Sequence, residues 1–310
     1  MPKPIVVLGS INLDYTAIVP SLPAPGETVL GGELIVANGG KGANQAVAAR
    51  RAGAEVAMIA CVGDDPGGAT YLQALAAEGL DTCAIRVAAG AKTGTALIFV
   101  EQGSAENMIA VCPGANSLVT PQDVDAARER IAAASVVVAQ LEIPLGTVAH
   151  AAALCREVGT PFVLSAAPVP SGGIPAGLLA NADYLICNET EVGQIAAGLG
   201  LLPDEAAPRL VATGMTAVVV TLGADGAEVV TVAGRSHLST FVVTPVDTVG
   251  AGDAFTGAFA AALSEGHPLD LCATFANAAG ALGATASGAM PSLPARCAIE
   301  ALLAGRGNLR

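Results

Sequence analysis

The chain has no tryptophan, three histidines and only 13% charged residues among its 310. Three histidines and seven scattered cysteines, with no Cys-x-x-Cys pair, offer no ligand set for a structural zinc. Basic residues are scarce: 14 Lys and Arg stand against 27 Asp and Glu, a net charge of −13. No basic run or stripe exists, so nucleic acid is not an expected partner. An anionic ligand has to be held locally, by backbone amides, a few cations or a metal. No apolar run approaches the roughly 18 residues of a membrane span without a glycine or polar break, so no membrane partner is expected either. No secretion signal is visible, and an odd number of dispersed cysteines reads as reduced, mostly buried thiols. The expected location is the cytoplasm.

What is abundant is apolar: 53% of residues are hydrophobic, and 37 are glycine without a three-residue period. That composition suits one large, well-buried domain or a domain with an appendage. Segment 5–8 predicts a buried strand that ends at Gly9-Ser-Ile-Asn12-Leu-Asp14. Asn12 and Asp14 share a face if the chain stays extended, placed to hold two hydroxyls of a small polyol, with a simple turn as the alternative. Segments 15–19 and 28–36 predict strands with Pro20, Pro23, Pro25 and Gly26 between them and no helix. Strands that leave an α/β pattern this early suggest a small antiparallel flap. Segments 95–100 and 107–111 predict a hairpin, turning at 101–106, that joins the flap or the edge of the main sheet.

Asn38-Gly-Gly-Lys41-Gly-Ala-Asn44-Gln45 lacks the Gly-Lys-Ser/Thr of a Walker A loop. Its glycines allow close backbone approach to a ligand, and Lys41, one of three lysines, can meet Asn44 on one helix face. From 120 onward a regular alternation sets in. Thr120-Pro-Gln-Asp123 marks a helix start. Strands are predicted over 135–140, 162–164, 184–187 and 217–221, followed by Glu142, Ser165, Asn188 with Glu191, and Gly223 to Gly226. Polar residues at repeated strand ends mark the ligand side of a doubly wound sheet. Segments 228–232 and 239–243 predict antiparallel edge strands. A helix over 269–282 leads into a Gly-, Ala- and Ser-rich loop, 283–292, able to offer carbonyls to a cation or a nucleotide edge.

The stretch that organises the rest is Asp247-Thr-Val-Gly-Ala-Gly-Asp253, which runs into an apolar helical segment over 254–263. Gly250, Ala251 and Gly252 carry almost no side chain, so amides at the helix start face whatever binds there. Asp253 would sit beside the bound group and take a proton from a hydroxyl while those amides hold a phosphoryl group. An aspartate cap with two turn glycines is the plainer alternative.

Gly39-Gly-Lys-Gly-Ala-Asn-Gln45, Asn188-x-x-Glu191 and Asp247-Thr-Val-Gly-Ala-Gly-Asp253, in that order, resemble the motifs of the ribokinase-like (PfkB-type) carbohydrate kinase family. Pro-x-Pro-Gly-Glu27-Thr, Gly63-Asp-Asp65, Ala96-Leu-Ile-Phe99-Val, Pro113-Gly-Ala-Asn116, Gln140-Leu-Glu142 and Pro291-Ser-x-Pro294 extend the similarity over nearly the whole chain. The resemblance implies a three-layer α/β/α core, 1–14, 38–94 and 112–310, with a mainly parallel sheet. It adds a small β-sheet lid, 15–37 and 95–111, and a homodimer that clasps through the lids. It implies transfer of the ATP γ-phosphoryl to O5 of ribose, with Mg²⁺ and an activating K⁺. Asn12, Asp14, Gly40, Lys41, Asn44 and Glu142 would face the sugar, and Asp253 would be the base above an anion hole at Gly250, Ala251 and Gly252. Asn188, Thr221, Gly223, Asp225, Gly226, Gly252 and Asn277 would serve the nucleotide, and Glu191 the magnesium. Asp247, Val249, Gly283, Ala286, Gly288 and Ser292 would surround the potassium.

Two positions depart from the family. Ser165-Ala-Ala-Pro168 stands where Asn-Pro-Ala-Pro is usual, a change expected on the nucleotide side, near the Asn188 loop. Gly250 stands where alanine is common. A sibling kinase for deoxyribose, fructose, a sugar acid or a nucleoside is the nearest alternative. No arginine lies near these motifs for an acid, and aromatics, at 3%, are few for a base pocket. A non-catalytic sugar- or nucleotide-binding module is the alternative from another class.

Overall fold

Short runs of Val, Ile, Leu and Ala, buried on both faces, form the parallel strands of a large sheet. In the computed structural model, which describes residues 3–103 and 106–307, the first is β1, Ile5–Leu8, with every side chain buried. The chain leaves for a second sheet through β2, Asn12–Val19, and β3, Leu34–Gly39. It returns through α1, Lys41–Arg51, to β4, Val56–Gly63, then α2, Pro66–Ala77, and β5, Asp81–Ala88. A second excursion, β6, Gly94–Glu101, and β7, Asn107–Cys112, completes a four-stranded lid in the order β3-β2-β6-β7.

Helices and strands then alternate: α3, Pro121–Ala126, and α4, Arg128–Ala133, precede β8, Val136–Ala139. Next come α5, Leu145–Val158, β9, Phe162–Ser165, α6, Ala176–Asn181, and β10, Tyr184–Asn188. They are followed by α7, Glu189–Leu199, α8, Pro203–Ala212, and β11, Ala217–Thr221. The hairpin β12, Ala227–Thr231, and β13, Gly234–Leu238, ends the sheet. Four helices close the chain: α9, Ala251–Ser264, α10, Leu269–Gly283, α11, Ala289–Ser292, and α12, Arg296–Gly307.

The large sheet runs β13-β12-β11-β10-β9-β8-β1-β4-β5, parallel except where β12 pairs with β11 and β13. Alternate strand residues feed two cores. Val7 and Val138 pack on the α1, α9 and α10 side, while Val6 and Val137 pack with Ile131, Val148 and Leu210 on the other. The architecture is therefore an α/β/α sandwich with a mainly parallel sheet and a separate small lid. After β1 the chain builds outward to β4 and β5, then returns to build from β8 the opposite way. The loops beyond β1 and β8 diverge at this switch point, and a crevice opens outside their carboxyl ends.

The strand predicted over 28–36 forms only at Leu34–Gly39: the ladder with β2 ends at Ala17 and Leu34, and before it Gly32 and Glu33 bond to Ile18, where Gly31 and Gly32 turn the chain away. The β-branched run 239–243 is irregular. A two-residue turn after Thr231 sets the register Thr231 to Gly234, so the second strand of the hairpin is Gly234–Leu238 and ends before the run. The hairpin at 95–111 belongs to the lid; residues 104 and 105 of its predicted turn lie outside the described residues. Among the described residues, no helix is long and apolar enough to cross a membrane.

Candidate active site

Two helix starts meet at the crevice. α1 and α9 pack together, and both begin with glycine caps at positive φ, Gly40 at 90° and Gly250 at 82°. A Cβ on Gly250 would stand 2.8 Å from the backbone of Ala289, so side chains are excluded where α9 meets the start of α11. Asp253 occupies the first turn of α9 and is 8% exposed. Asn44 Nδ2 donates to its Oδ2 at 3.0 Å, and Gln45 Nε2 donates to its Oδ1 at 2.9 Å. Burial pushes the Asp253 carboxyl up from its ordinary value; the Lys41 charge and the two amide donors oppose that.

The opposite wall comes from β1, β2 and β8. Ser10 Oγ donates to Glu142 Oε2 at 2.6 Å, and the same oxygen accepts the Lys41 amide at 3.1 Å. Asn12 and Asp14 alternate onto one face of β2, as their spacing predicts. Asn116, just past the lid, donates to Asn12 Oδ1 at 2.7 Å and pins it. A Cβ on Gly39 would fall 2.0 Å from Asp14 Oδ2, so only glycine admits that carboxylate. The Asp14 carboxyl is pushed up to about 7, first by burial and then by Glu142 and Asp253, with Lys41 opposing. Burial alone would depress Lys41, but Asp253, Glu142, Glu191 and Asp14 outweigh it and hold the ammonium charged. Asn44 Oδ1 is buried without a protein partner among the described residues, an acceptor suited to a ligand hydroxyl.

Beyond Asp253 lies a cavity of about 510 Å³, lined by Thr221, Gly223, Phe241, Thr248, Gly252 and Asn277 among others. It is largely apolar with a few polar groups, which suits a nucleoside. Gly226 and Ala251 also line it; Asp225 and Asn188 do not. Asn188 instead caps α7 in a reciprocal pair with Glu191, each backbone amide donating to the other's side chain at 2.8 Å. The Glu191 carboxyl is raised by burial, against its bond to the Asn188 amide and the Lys41 charge.

Asp247 braces the last loop: Val249 and Gly288 amides donate to its two oxygens, each at 2.9 Å. Ala284 O accepts the Val246 and Asp247 amides, and Ser292 Oγ donates to Ala289 O. Gly283 ends α10, Ala286 lies in the loop, and Gly288 caps α11. The donors gathered here are a carboxylate, a hydroxyl and carbonyls, hard oxygens that fit an alkali cation. Among the described residues, no group of three or more His, Cys, Asp and Glu is clustered for a metal. A magnesium ion carried on nucleotide phosphates needs only one or two protein carboxylates. Glu191 fits that need.

Sequence reading missed several of these residues. Ser10, Gln45, Asn116 and Gln140 act through partners far along the chain, and Arg51 reaches Met290 O and Leu293 O at 3.0 and 2.8 Å. Gln45 and Gln140 stand inside or beside the recognised motifs, which is the one signal that could have found them. The Ser165 hydroxyl accepts from Gln45 Nε2 at 3.3 Å and so reaches the Asp253 neighbourhood, while its strand pairs with β10 as far as Ile186, two residues before Asn188.

The family model of pfkB carbohydrate kinases matches residues 3–296. Ribokinase of Haemophilus influenzae is 39% identical over 300 residues, 96% of this chain and 97% of that protein. A deoxyribokinase of Salmonella typhi is 35% identical over 260 residues, 83% of this chain and 84% of its own. The structure of Arabidopsis thaliana ribokinase complexed with ribose and ATP superposes with a TM-score of 0.88 at 30% identity, covering 98% of this chain and 99% of that one.

Proposed function

The chain belongs to the pfkB family of carbohydrate kinases, and from that premise we propose ATP-dependent phosphorylation of ribose at O5, giving ribose 5-phosphate. The observation that carries this reading is Asp253: a buried carboxylate gripped by two neutral amides, between a polar crevice and a nucleoside-sized cavity. A sugar hydroxyl is a poor nucleophile and has to lose its proton as the new P–O bond forms. Asp253 takes that proton when O5 lies within roughly 3 Å. Asp14, Lys41, Asn44 and Glu142, with Asn12 and Gly40 beside them, bind and orient the remaining hydroxyls. The amides of residues 250–253 face the charge that builds on the transferring phosphoryl group. The lid covers the sugar and keeps water from competing for the phosphoryl group.

Thr221, Gly223, Gly226, Gly252 and Asn277 line the nucleoside cavity, with Asp225 at its edge and Asn188 toward the phosphates. Mg²⁺, when bound with ATP, neutralises phosphate charge, and Glu191 is the residue assigned to it. K⁺ is assigned to Asp247, the Val249 carbonyl and the loop bearing Gly283, Ala286, Gly288 and Ser292. Leu34, Val36, Leu97, Phe99 and Met108 are exposed on one face of the lid, and a second copy of the chain is the proposed cover. The proposed setting is the cytoplasm.

Similarity to a deoxyribokinase makes 2-deoxyribose the second candidate acceptor. The test is ATP-to-ADP turnover with a sugar panel and Mg²⁺, in K⁺ or in Na⁺. Ribose-dependent turnover that needs K⁺ is expected. Preference for another sugar reassigns the acceptor, and turnover with none removes the kinase reading.

A further inference from the structure

Gln45, Gln140 and Ser165 are 1%, 0% and 6% exposed, and they form a hydrogen-bonded line that ends on Asp253. Gln140 Nε2 donates to Gln45 Oε1 at 2.6 Å. Gln45 Nε2 in turn donates to Asp253 Oδ1 at 2.9 Å and to Ser165 Oγ at 3.3 Å. The four residues come from α1, the end of β8, the end of β9 and the first turn of α9, so four elements converge on one amide. Packing does not account for it. Apolar side chains of similar volume would fill the space, whereas here Gln140 Oε1 is left buried with no partner among the described residues. The polar line is kept at a cost, and what it controls is orientation. With its oxygen engaged by Gln140, Gln45 has only its NH₂ group to turn toward the carboxylate. The flipped amide would set oxygen against oxygen. Asn44 holds the other carboxylate oxygen, so each oxygen of Asp253 accepts one fixed amide N–H.

We propose that Gln45 is a positioning residue for phosphoryl transfer: it fixes the Asp253 carboxylate in one orientation and favours its ionised form, with Gln140 and Ser165 locking the amide that does so. The proposal rests on the reading of Asp253 as the base. The charged and titratable groups that face Asp253 are Lys41 from α1, Asp14 from β2, Glu142 beyond β8, Glu191 from α7 and Tyr71 from α2. All of them remain when the neutral Gln45 amide is removed, so a change in pH dependence reports the amide itself.

The experiment compares kcat and KM against pH for the unaltered enzyme, Gln45→Leu and Gln140→Leu, using the acceptor the unaltered enzyme turns over. Loss of a donor to a carboxylate raises its pKa, and a base with a raised pKa becomes active only at higher pH. In Gln45→Leu the acid limb of kcat moves up by about one pH unit, so kcat at a pH on that limb falls by about tenfold, while sugar KM changes little. Gln140→Leu, which frees the amide to flip, shifts the limb the same way by less. An unmoved limb in Gln45→Leu, or a rise in KM that accounts for the whole loss, overturns the inference. Should Gln45→Leu not fold, an unmoved limb in Gln140→Leu overturns it alone. No turnover with any acceptor in the unaltered enzyme sinks the reading of the site and the inference together.

Discussion

Two sets of carboxylates in this molecule behave in opposite ways. In the crevice, Asp14, Glu191 and Asp253 are all pushed above their ordinary values, with burial the largest cause. In the scaffold, Asp65, Glu78, Asp81, Asp123 and Glu265 are all pulled below theirs. Glu78 and Glu265 owe this first to hydrogen bonds from Arg51 and Arg296. For Asp65, Asp81 and Asp123 burial is the largest single effect, yet hydrogen bonds and a neighbouring Lys or Arg charge together outweigh it. The crevice acids are the more deeply buried, and the scaffold acids have the better supply of donors; both differences push the two sets apart. Acids that hold the fold together sit among enough N–H groups and arginines to stay charged. Acids in the crevice share one cation, Lys41, and are left short, a pattern associated with groups that take and give protons.

The largest break in that comparison is Asp253→Asn. Turnover is expected to fall by about 10²-fold or more, because the group assigned to take the proton is gone. Ribose binding, assigned to the opposite wall of the crevice, is expected to stay largely intact in calorimetry. Near-normal turnover would move Asp253 out of the chemistry and into the scaffold class.

Asp14→Asn comes next. A sugar hydroxyl donates to an ionised carboxylate, and Asp14 ionises only near pH 7. Sugar KM in the unaltered enzyme is therefore expected to fall as pH rises through about 7. The variant loses that dependence, and its KM above pH 7 rises by about 10- to 100-fold, the worth of one charge-assisted hydrogen bond. Stability moves the other way. The folded pKa lies above its ordinary 3.8, so ionised Asp14 costs stability as pH rises from about 4 to about 7. Asparagine removes that cost, and the variant is expected to melt higher than the unaltered protein at pH 8. A pH-independent KM in the unaltered enzyme would take Asp14 off the sugar.

Much of this division was legible before the fold. Asp253, Lys41 and Asn44 stand out because acids, amides and a rare lysine sit among glycines at element boundaries, and such local chemistry survives folding. Asp65, in an Asp-Asp-Pro turn ahead of a helix, is legible as a cap in the same way; it accepts the Gly68 amide at 2.8 Å. What could not be read was pairing across the sheet. Gln45 meets Asp253 across 208 positions, and Ser165 meets Gln45 across 120, so nothing in their neighbours announces either bond. The edge of the large sheet was equally hidden. β5, half-exposed and mixed in polarity, had no period to mark it, while the β-branched run at 239–243 had strand propensity and forms no strand.

Asp65 supplies the smallest and sharpest contrast. Its Oδ1 accepts Gly68 N and Thr93 Oγ1, and its Oδ2 accepts Thr93 N, all at 2.8 Å. One carboxylate thus caps α2 and fixes Thr93, the residue before β6, where the core hands over to the lid. Its pKa is lowered, so its contribution is complete above the ordinary carboxylate value and is lost as pH falls through the folded one. Asp65→Asn keeps the shape, replaces one acceptor with a donor that faces an N–H or hydroxyl, and removes the charge. It is expected to lose about 1–2 kcal/mol at pH 7 in urea unfolding. The deficit should shrink as pH is lowered toward 3, where the unaltered carboxyl is itself protonated. Sugar KM at fixed pH should hold, because Asp65 touches neither wall of the crevice. Asp14→Asn and Asp65→Asn are the same chemical change, and opposite signs of ΔTm at pH 8 are what the two differences, in burial and in donor supply, require. Matching signs would mean that burial and the supply of donors do not separate the two sets of acids.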